Sequence, residues 1–179
     1  MADLRLMVVS GSLREASLNT LVAESLISHA PDAVAMHRFD LRPVPMFDQD
    51  VEEAGDPPPV VALKQAMLDA DGLVVVTPEY NVGVPALTKN AIDWLSRPYG
   101  DGPIKGKAVG VVAVSPGGRA GIGARSHLMD TLSILTERAY PETLGVGKVY
   151  DKLVDGELGS DGVDELMAWF RGFLDFAGT

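Results

Sequence analysis

Cysteine is absent from the 179 residues. That excludes thiolate nucleophiles, dithiol redox pairs, disulfide staples and cysteine-ligated zinc or iron–sulfur clusters. Positive charge is also short, with 15 Lys and Arg against 25 Asp and Glu and a formal net charge of −10. A field of that sign opposes polyanions and anionic lipid, so neither nucleic acid nor membrane is expected as a partner; a local basic pocket stays open. Long apolar runs are missing too: residues 73–76 and 108–114 fall far short of the roughly 20 needed to cross a bilayer. Met1 to Arg5 shows no basic segment leading into an apolar run, so no secretory signal is expected, and the expected compartment is the cytoplasm.

Several phosphate and catalytic motifs are likewise absent. No Gly-x-x-x-x-Gly-Lys-Ser/Thr run supports nucleotide hydrolysis, and no Gly-x-Gly-x-x-Gly follows the first predicted strand. Gly121-Ile122-Gly123-Ala124-Arg125-Ser126 comes near that pattern but lies after the fourth strand and lacks its third glycine. A receiver domain would carry acids where Ser10-Gly11 and Thr77-Pro78 stand. There is no Gly-x-Ser-x-Gly elbow and no His-Glu-x-x-His site.

What is present is the composition of a folded chain, 46% apolar against 22% charged, which suits one globular domain over residues 1–179. Residues 4–10, 34–39, 73–77 and 108–114 read as strands, with a weaker one around 146–150. Helical spacing links Leu18, Leu21, Val22 and Leu26, then residues 60–69 after Pro57-Pro58-Pro59. It recurs from Pro85 to Pro98, through Leu128, Leu132 and Leu135, and through Val163, Leu166, Met167, Phe170 and Phe173. Residues 40–59, rich in Pro and Asp, read as a loop. Strands alternating with helices imply right-handed crossovers and an α/β fold: a three-layer α/β/α sandwich on a five-stranded parallel sheet, and the length favours the flavodoxin-like order 2-1-3-4-5.

In such a sheet the ligand crevice lies beyond the C-terminal strand ends, which points to the loops at residues 10–19, 77–84 and 115–123. The first stacks Ser10, Gly11, Ser12, Arg14, Ser17, Asn19 and Thr20 just before a helix. Free amides at a helix start, hydroxyls and one guanidinium suit a phosphate dianion, while simple helix capping by Ser17 or Asn19 is the alternative. The second loop, Pro78-Glu79-Tyr80-Asn81, is stiffened by proline and offers a ring and an amide to the edge of a flat heterocycle; a rigid turn with an Asx bond is its alternative. In the third, Ser115-Pro116-Gly117-Gly118 lets backbone approach a planar ligand or serves turn geometry only.

Gly11-Ser12-Leu13-Arg14-Glu15-Ala16-Ser17-Leu18-Asn19 resembles the phosphate loop G-S-x-R-x-x-S-x-N of the NADPH-dependent FMN reductases, in their quinone and chromate reductase branch. Pro78-Glu79-Tyr80-Asn81, with Pro85 and residues 89–97, resembles the same family's P-E-Y-N-x-x-x-P and K-N-x-I-D-W-x-S-R signature. Gly83 and Thr88 depart from it, standing where the family often has Ser and Leu. The resemblance implies a flavodoxin-like fold holding FMN. Ser12, Arg14, Ser17, Leu18, Asn19 and Thr20 would surround the phosphate, and Pro78, Glu79, Tyr80, Asn81, Ser115, Gly117 and Gly118 would border the ring and ribityl chain. It further implies a homodimer or homotetramer, with Trp94 and Arg97 near a subunit contact.

The expected reaction takes hydride from NADPH or NADH to FMN and then passes electrons to quinones, free flavin or another small acceptor such as chromate, with no side-chain catalyst because the flavin carries the chemistry. A flavodoxin-like electron carrier is the competing expectation, consistent with the acidic charge. No metal site is expected, since His29, His37 and His127 are scattered. Asp93 and Arg97 read as a solvated i, i+4 pair, and residues 48–56 as a solvated acidic loop.

Overall fold

The computed structural model describes residues 4–178; Met1, Ala2, Asp3 and Thr179, which the expected domain and N-terminal segment include, lie outside the described residues. The chain begins with β1 (Leu4–Ser10), buried from Leu6 onward. Strands β3 (Gly72–Thr77) and β4 (Ala108–Val114) are buried at every position. Their unbroken runs of small and β-branched residues are what a sheet covered on both faces requires. Strand β2 (Val34–Phe39) and β5 (Leu144–Val146) form the edges. All neighbours pair parallel in the order β2-β1-β3-β4-β5, with Val9 against Val75 and Val75 against Val111.

Period-two alternation sends the strand residues into two cores. On one side Met7, Val9, Leu73, Val75, Val109 and Val111 meet α3 (Pro58–Asp69), α4 (Ala86–Leu95) and α5 (Ile122–Leu135). On the other, Leu6, Val8, Val74, Val76, Val112 and Val114 meet α1 (Leu18–Ser28) and α6 (Ser160–Ala177). The stripe expected on the closing helix is there, with Leu166, Phe170 and Phe173 fully buried; Trp169, outside that expectation, joins it and stacks on Phe173 at 5.7 Å. No helix among the described residues is long and apolar enough to cross a membrane.

Several expectations need correction. The last sheet strand is Leu144–Val146, not 146–150, because Lys148 takes a left-handed φ of 49° and turns the chain into a 3-10 segment, Val149–Lys152. Val149 is buried there outside the sheet ladder, its N–H donating to the Ser115 carbonyl at 3.2 Å, so its apolar character reports burial and not a strand. The 40–59 stretch contains a short helix, α2 (Gln49–Ala54), capped by Asp48 and without a buried residue. A small hairpin, β6 (Leu153–Val154) with β7 (Glu157–Leu158), precedes α6.

The acidic stretch is partly structural. Glu52 bonds Arg97 at 2.7 Å and Asp56 bonds Lys64 at 2.6 Å, all four side chains being at most one quarter exposed. Asp93 pairs with Lys89 and not with Arg97. Trp94 is fully buried, donates its indole N–H to the Pro45 carbonyl at 2.9 Å and meets Phe47 edge-on, so it is core and not a subunit contact.

Candidate functional site

The loops after β1, β3 and β4 converge on one cleft of about 170 Å³. Ser12, Arg14, Ser17, Leu18 and Asn19 line it from the first loop, Pro78, Glu79 and Tyr80 from the second, and Ser115 from the third. Pro116, part of the third loop expected there, lines it as well, and Val114, which precedes Ser115 at the end of β4, is an addition to the expected set. Thr20, Asn81, Gly117 and Gly118 stand outside the lining. Larger hollows of about 550 Å³ beside β2 and about 350 Å³ under Tyr99 and Ile134 are not reached by any of the three loops.

The first loop is built around the start of α1. Ser17 is the N-cap: its hydroxyl accepts from Thr20 N–H at 3.2 Å while its carbonyl accepts from Leu21 N–H at 2.9 Å. The capping alternative is therefore real, but it leaves the Ser17 hydroxyl hydrogen and the first-turn amides of Leu18 and Asn19 free to donate. Thr20 spends its hydroxyl on Ser10, 2.9 Å away, and so ties the helix to the end of β1. Arg14 is exposed and has no side-chain partner among the described residues. Asn19 is buried, and its Oδ1 has no hydrogen-bond partner among the described residues.

Gly11 holds this loop against the next. A Cβ there would collide with the Thr88 hydroxyl and sit 3.0 Å from that of Thr77. Those two buried hydroxyls bond each other at 2.9 Å, and Thr77 also donates to the Pro78 carbonyl at 3.0 Å. Thr88, one of the two departures from the family pattern, thus fixes the β3 exit to α4.

The second loop is a two-residue turn. Tyr80 and Gly83 exchange both backbone bonds, at 3.1 and 3.0 Å, and the central Asn81 and Val82 both take left-handed φ, 52° and 63°. That geometry is unfavourable for a β-branched residue, so the turn is strained at Val82 while Tyr80 and Val82 stand about half exposed. Glu79 turns the other way: its Oε2 accepts from Ala124 N–H at 3.0 Å. It caps α5, whose own N-cap Gly121 has no side chain to do so. In the third loop Ser115 Oγ accepts from Gly117 N–H at 3.1 Å, and Lys148 N–H reaches the Gly117 carbonyl at 3.3 Å.

Residues 4–151 match the NADPH-dependent FMN reductase family. The chain belongs to that family. This FMN reductase is 41% identical over 133 residues to a 2-hydroxy-1,4-benzoquinone reductase of a Burkholderia species, covering 74% of this chain and 72% of that one. It is 38% identical over 158 residues to the quinone reductase of Escherichia coli K12, covering 87% of this chain and 84% of that one. Among solved structures it resembles a flavoenzyme NAD(P)H:(acceptor) oxidoreductase from Paracoccus denitrificans with a TM-score of 0.86 and 28% identity, covering 98% and 97% of the two chains. The reductase is therefore an oxidoreductase with FMN as flavin cofactor and NAD(P)H as donor, and the electron-carrier alternative is set aside.

The cleft fits FMN on its own chemistry. A phosphate is an acceptor only, and first-turn amides, hydroxyls and the Arg14 guanidinium are all donors. The orphaned Asn19 oxygen is a buried acceptor calling for a donor, which ribityl hydroxyls supply. Among the described residues no group of His, Asp or Glu is placed to hold a metal ion.

Proposed function

We propose that the whole chain is a single FMN-binding domain that reduces quinones, with free flavin or another small oxidant such as chromate as further acceptors. The observation that carries this reading is the convergence of an uncommitted guanidinium, a helix start and a buried unpaired carboxamide oxygen in one cleft at the sheet's C-terminal edge. When bound, FMN supplies the redox chemistry, accepting hydride from NAD(P)H and releasing electrons to the acceptor.

The chain's own residues bind and orient. Ser12, Arg14, Ser17 and the amides of Leu18 and Asn19 hold the phosphate. Thr20 acts from behind by fixing α1 to β1. Pro78, Tyr80 and Asn81, with Ser115, Gly117 and Gly118, border the ring, and Glu79 keeps their loop docked on α5. No side chain is required as nucleophile, acid or base. The cleft is smaller than the roughly 300 Å³ at which sites for organic ligands begin, so part of a bound ring stays accessible to a second ligand.

The relatives named as quinone reductases support quinones as the acceptor class. Exposed apolar groups such as Tyr99 and Ile134, more than four-fifths exposed, support assembly into a homodimer or homotetramer. We place the enzyme in the cytoplasm, where reduced dinucleotide is abundant. An anaerobic acceptor screen with NADPH tests the substrate class: turnover should be fastest with benzoquinones, and turnover confined to free flavin would overturn the quinone assignment.

A further inference from the structure

The dinucleotide donor brings phosphates of its own, and the distribution of free positive charge indicates where they dock. Of the 15 Lys and Arg side chains, eight pair with carboxylates. Lys107, Arg125 and Arg138 donate to main-chain carbonyls. Arg14, Arg119, Lys148 and Arg171 are left, with no side-chain partner among the described residues. On a chain of net charge −10 such cations are scarce; Arg14 lines the cleft, and Arg119 and Lys148 stand along the glycine loop whose first residues, Ser115 and Pro116, line it too.

Arg14 lines the cleft itself. Arg119 stands exposed in the glycine loop, three residues beyond the lining residue Pro116. Lys148 arrives from the far side, after β5. Its left-handed backbone and its bond to the Gly117 carbonyl lay it along the same loop, so that its Cε lies 3.6 Å from where a Cβ of Gly118 would be. Gly147 packs equally closely, 3.2 Å from the Gly117 carbonyl by the same measure. The acids nearest in sequence to Arg14 and Lys148, Glu15 and Asp151, are exposed and pair with neither. Arg171 lies far along α6 and belongs to no such group.

We propose that Arg119 and Lys148 form a docking patch for the phosphates of the nicotinamide dinucleotide. The proposal rests on the reading above that the first loop holds the FMN phosphate. FMN has one phosphate, and the first loop already offers it amides, hydroxyls and Arg14. On that reading the glycine loop would border the ring, and its two cations would be placed to meet the charged part of a donor that approaches it. Cations at this loop give the acidic protein a local attractive field for a polyanionic donor that its net charge would otherwise repel.

The test uses the FMN-loaded enzyme and its Arg119→Gln, Lys148→Gln and Arg171→Gln variants. Anaerobic single-turnover reduction is followed with NADPH and with NADH, together with calorimetric binding of adenosine 2′,5′-bisphosphate. Loss of either patch cation should raise the dissociation constant for NADPH roughly tenfold, the scale of one charge-assisted contact. The limiting rate should stay near wild type, and added salt should shrink the difference. An effect on NADPH and the bisphosphate but not NADH assigns the patch to the 2′-phosphate; equal effects on both donors assign it to the pyrophosphate. Unchanged donor affinity, the same loss in Arg171→Gln, a rise confined to the acceptor's KM, or weakened FMN binding would each overturn the proposal. If neither donor reduces the wild-type flavin, the functional reading itself fails, and this patch with it.

Discussion

Arg14 stands exposed beside a helix start that already offers two free amides and the Ser17 hydroxyl hydrogen, so in the proposed phosphate site its contribution to FMN affinity would be a single charge-assisted contact. Arg14→Ala should weaken FMN binding by about 1.5–3 kcal/mol in a calorimetric titration while leaving apoprotein stability unchanged. Unaltered affinity would move the phosphate elsewhere. Thr88 is the reverse case, a buried hydroxyl bonded to Thr77 and away from the cleft lining. Thr88→Val keeps the shape but removes the donor to Thr77, and should lower the unfolding free energy by about 1 kcal/mol in urea with FMN affinity intact. Arg14 was legible in the sequence because its motif is local. The orphaned oxygen of Asn19 and the position of Lys148 beside Gly118 were not, because both depend on partners brought together across the sheet.

At the level of elements, strands β1, β2 and β4 have the bounds their apolar runs suggest; for β1 and β4 burial on both faces leaves no other reading of so short a run, while β2 is a half-buried edge. The β6–β7 hairpin had a clear signal that went unused: Asp155-Gly156, both with positive φ, is the dipeptide that a two-residue turn demands. Asp48 similarly announced α2 as an N-cap, but with no buried residue the helix has no apolar period to confirm it. The pairing of Glu52 with Arg97 was beyond local reasoning, because the acid comes from a separate helix 45 residues away in sequence. Trp94 gives the sharpest check on α4. Trp94→Ala removes a fully buried ring and should cost about 3–5 kcal/mol of stability. If Trp94→Ala instead dissociated an oligomer without loss of monomer stability, the interface expectation would be restored. At the head of α1, Ser17→Ala should cost about 1 kcal/mol of stability and also weaken FMN, since the same hydroxyl caps the helix and faces the cleft.

For the whole molecule, the absent cysteine and the negative charge gain a positive meaning. Redox work falls to the family's flavin cofactor, and of the four uncommitted cations Arg14 lines the cleft proposed to hold it. On the proposed reading, donor and acceptor would use the ring held in this one cleft in turn. Steady-state rates should therefore give parallel double-reciprocal lines; intersecting lines would require separate donor and acceptor sites. The most direct measurement is the visible spectrum of the purified protein, reconstituted with FMN and freed of excess, before and after anaerobic NADPH. The flavin band should be present at one FMN per chain, bleach within seconds on adding NADPH, and return when a benzoquinone is added. A colourless protein after reconstitution, or a bound flavin that NADPH leaves oxidised, would contradict the assignment of this cleft as the site of an NAD(P)H-dependent FMN reductase.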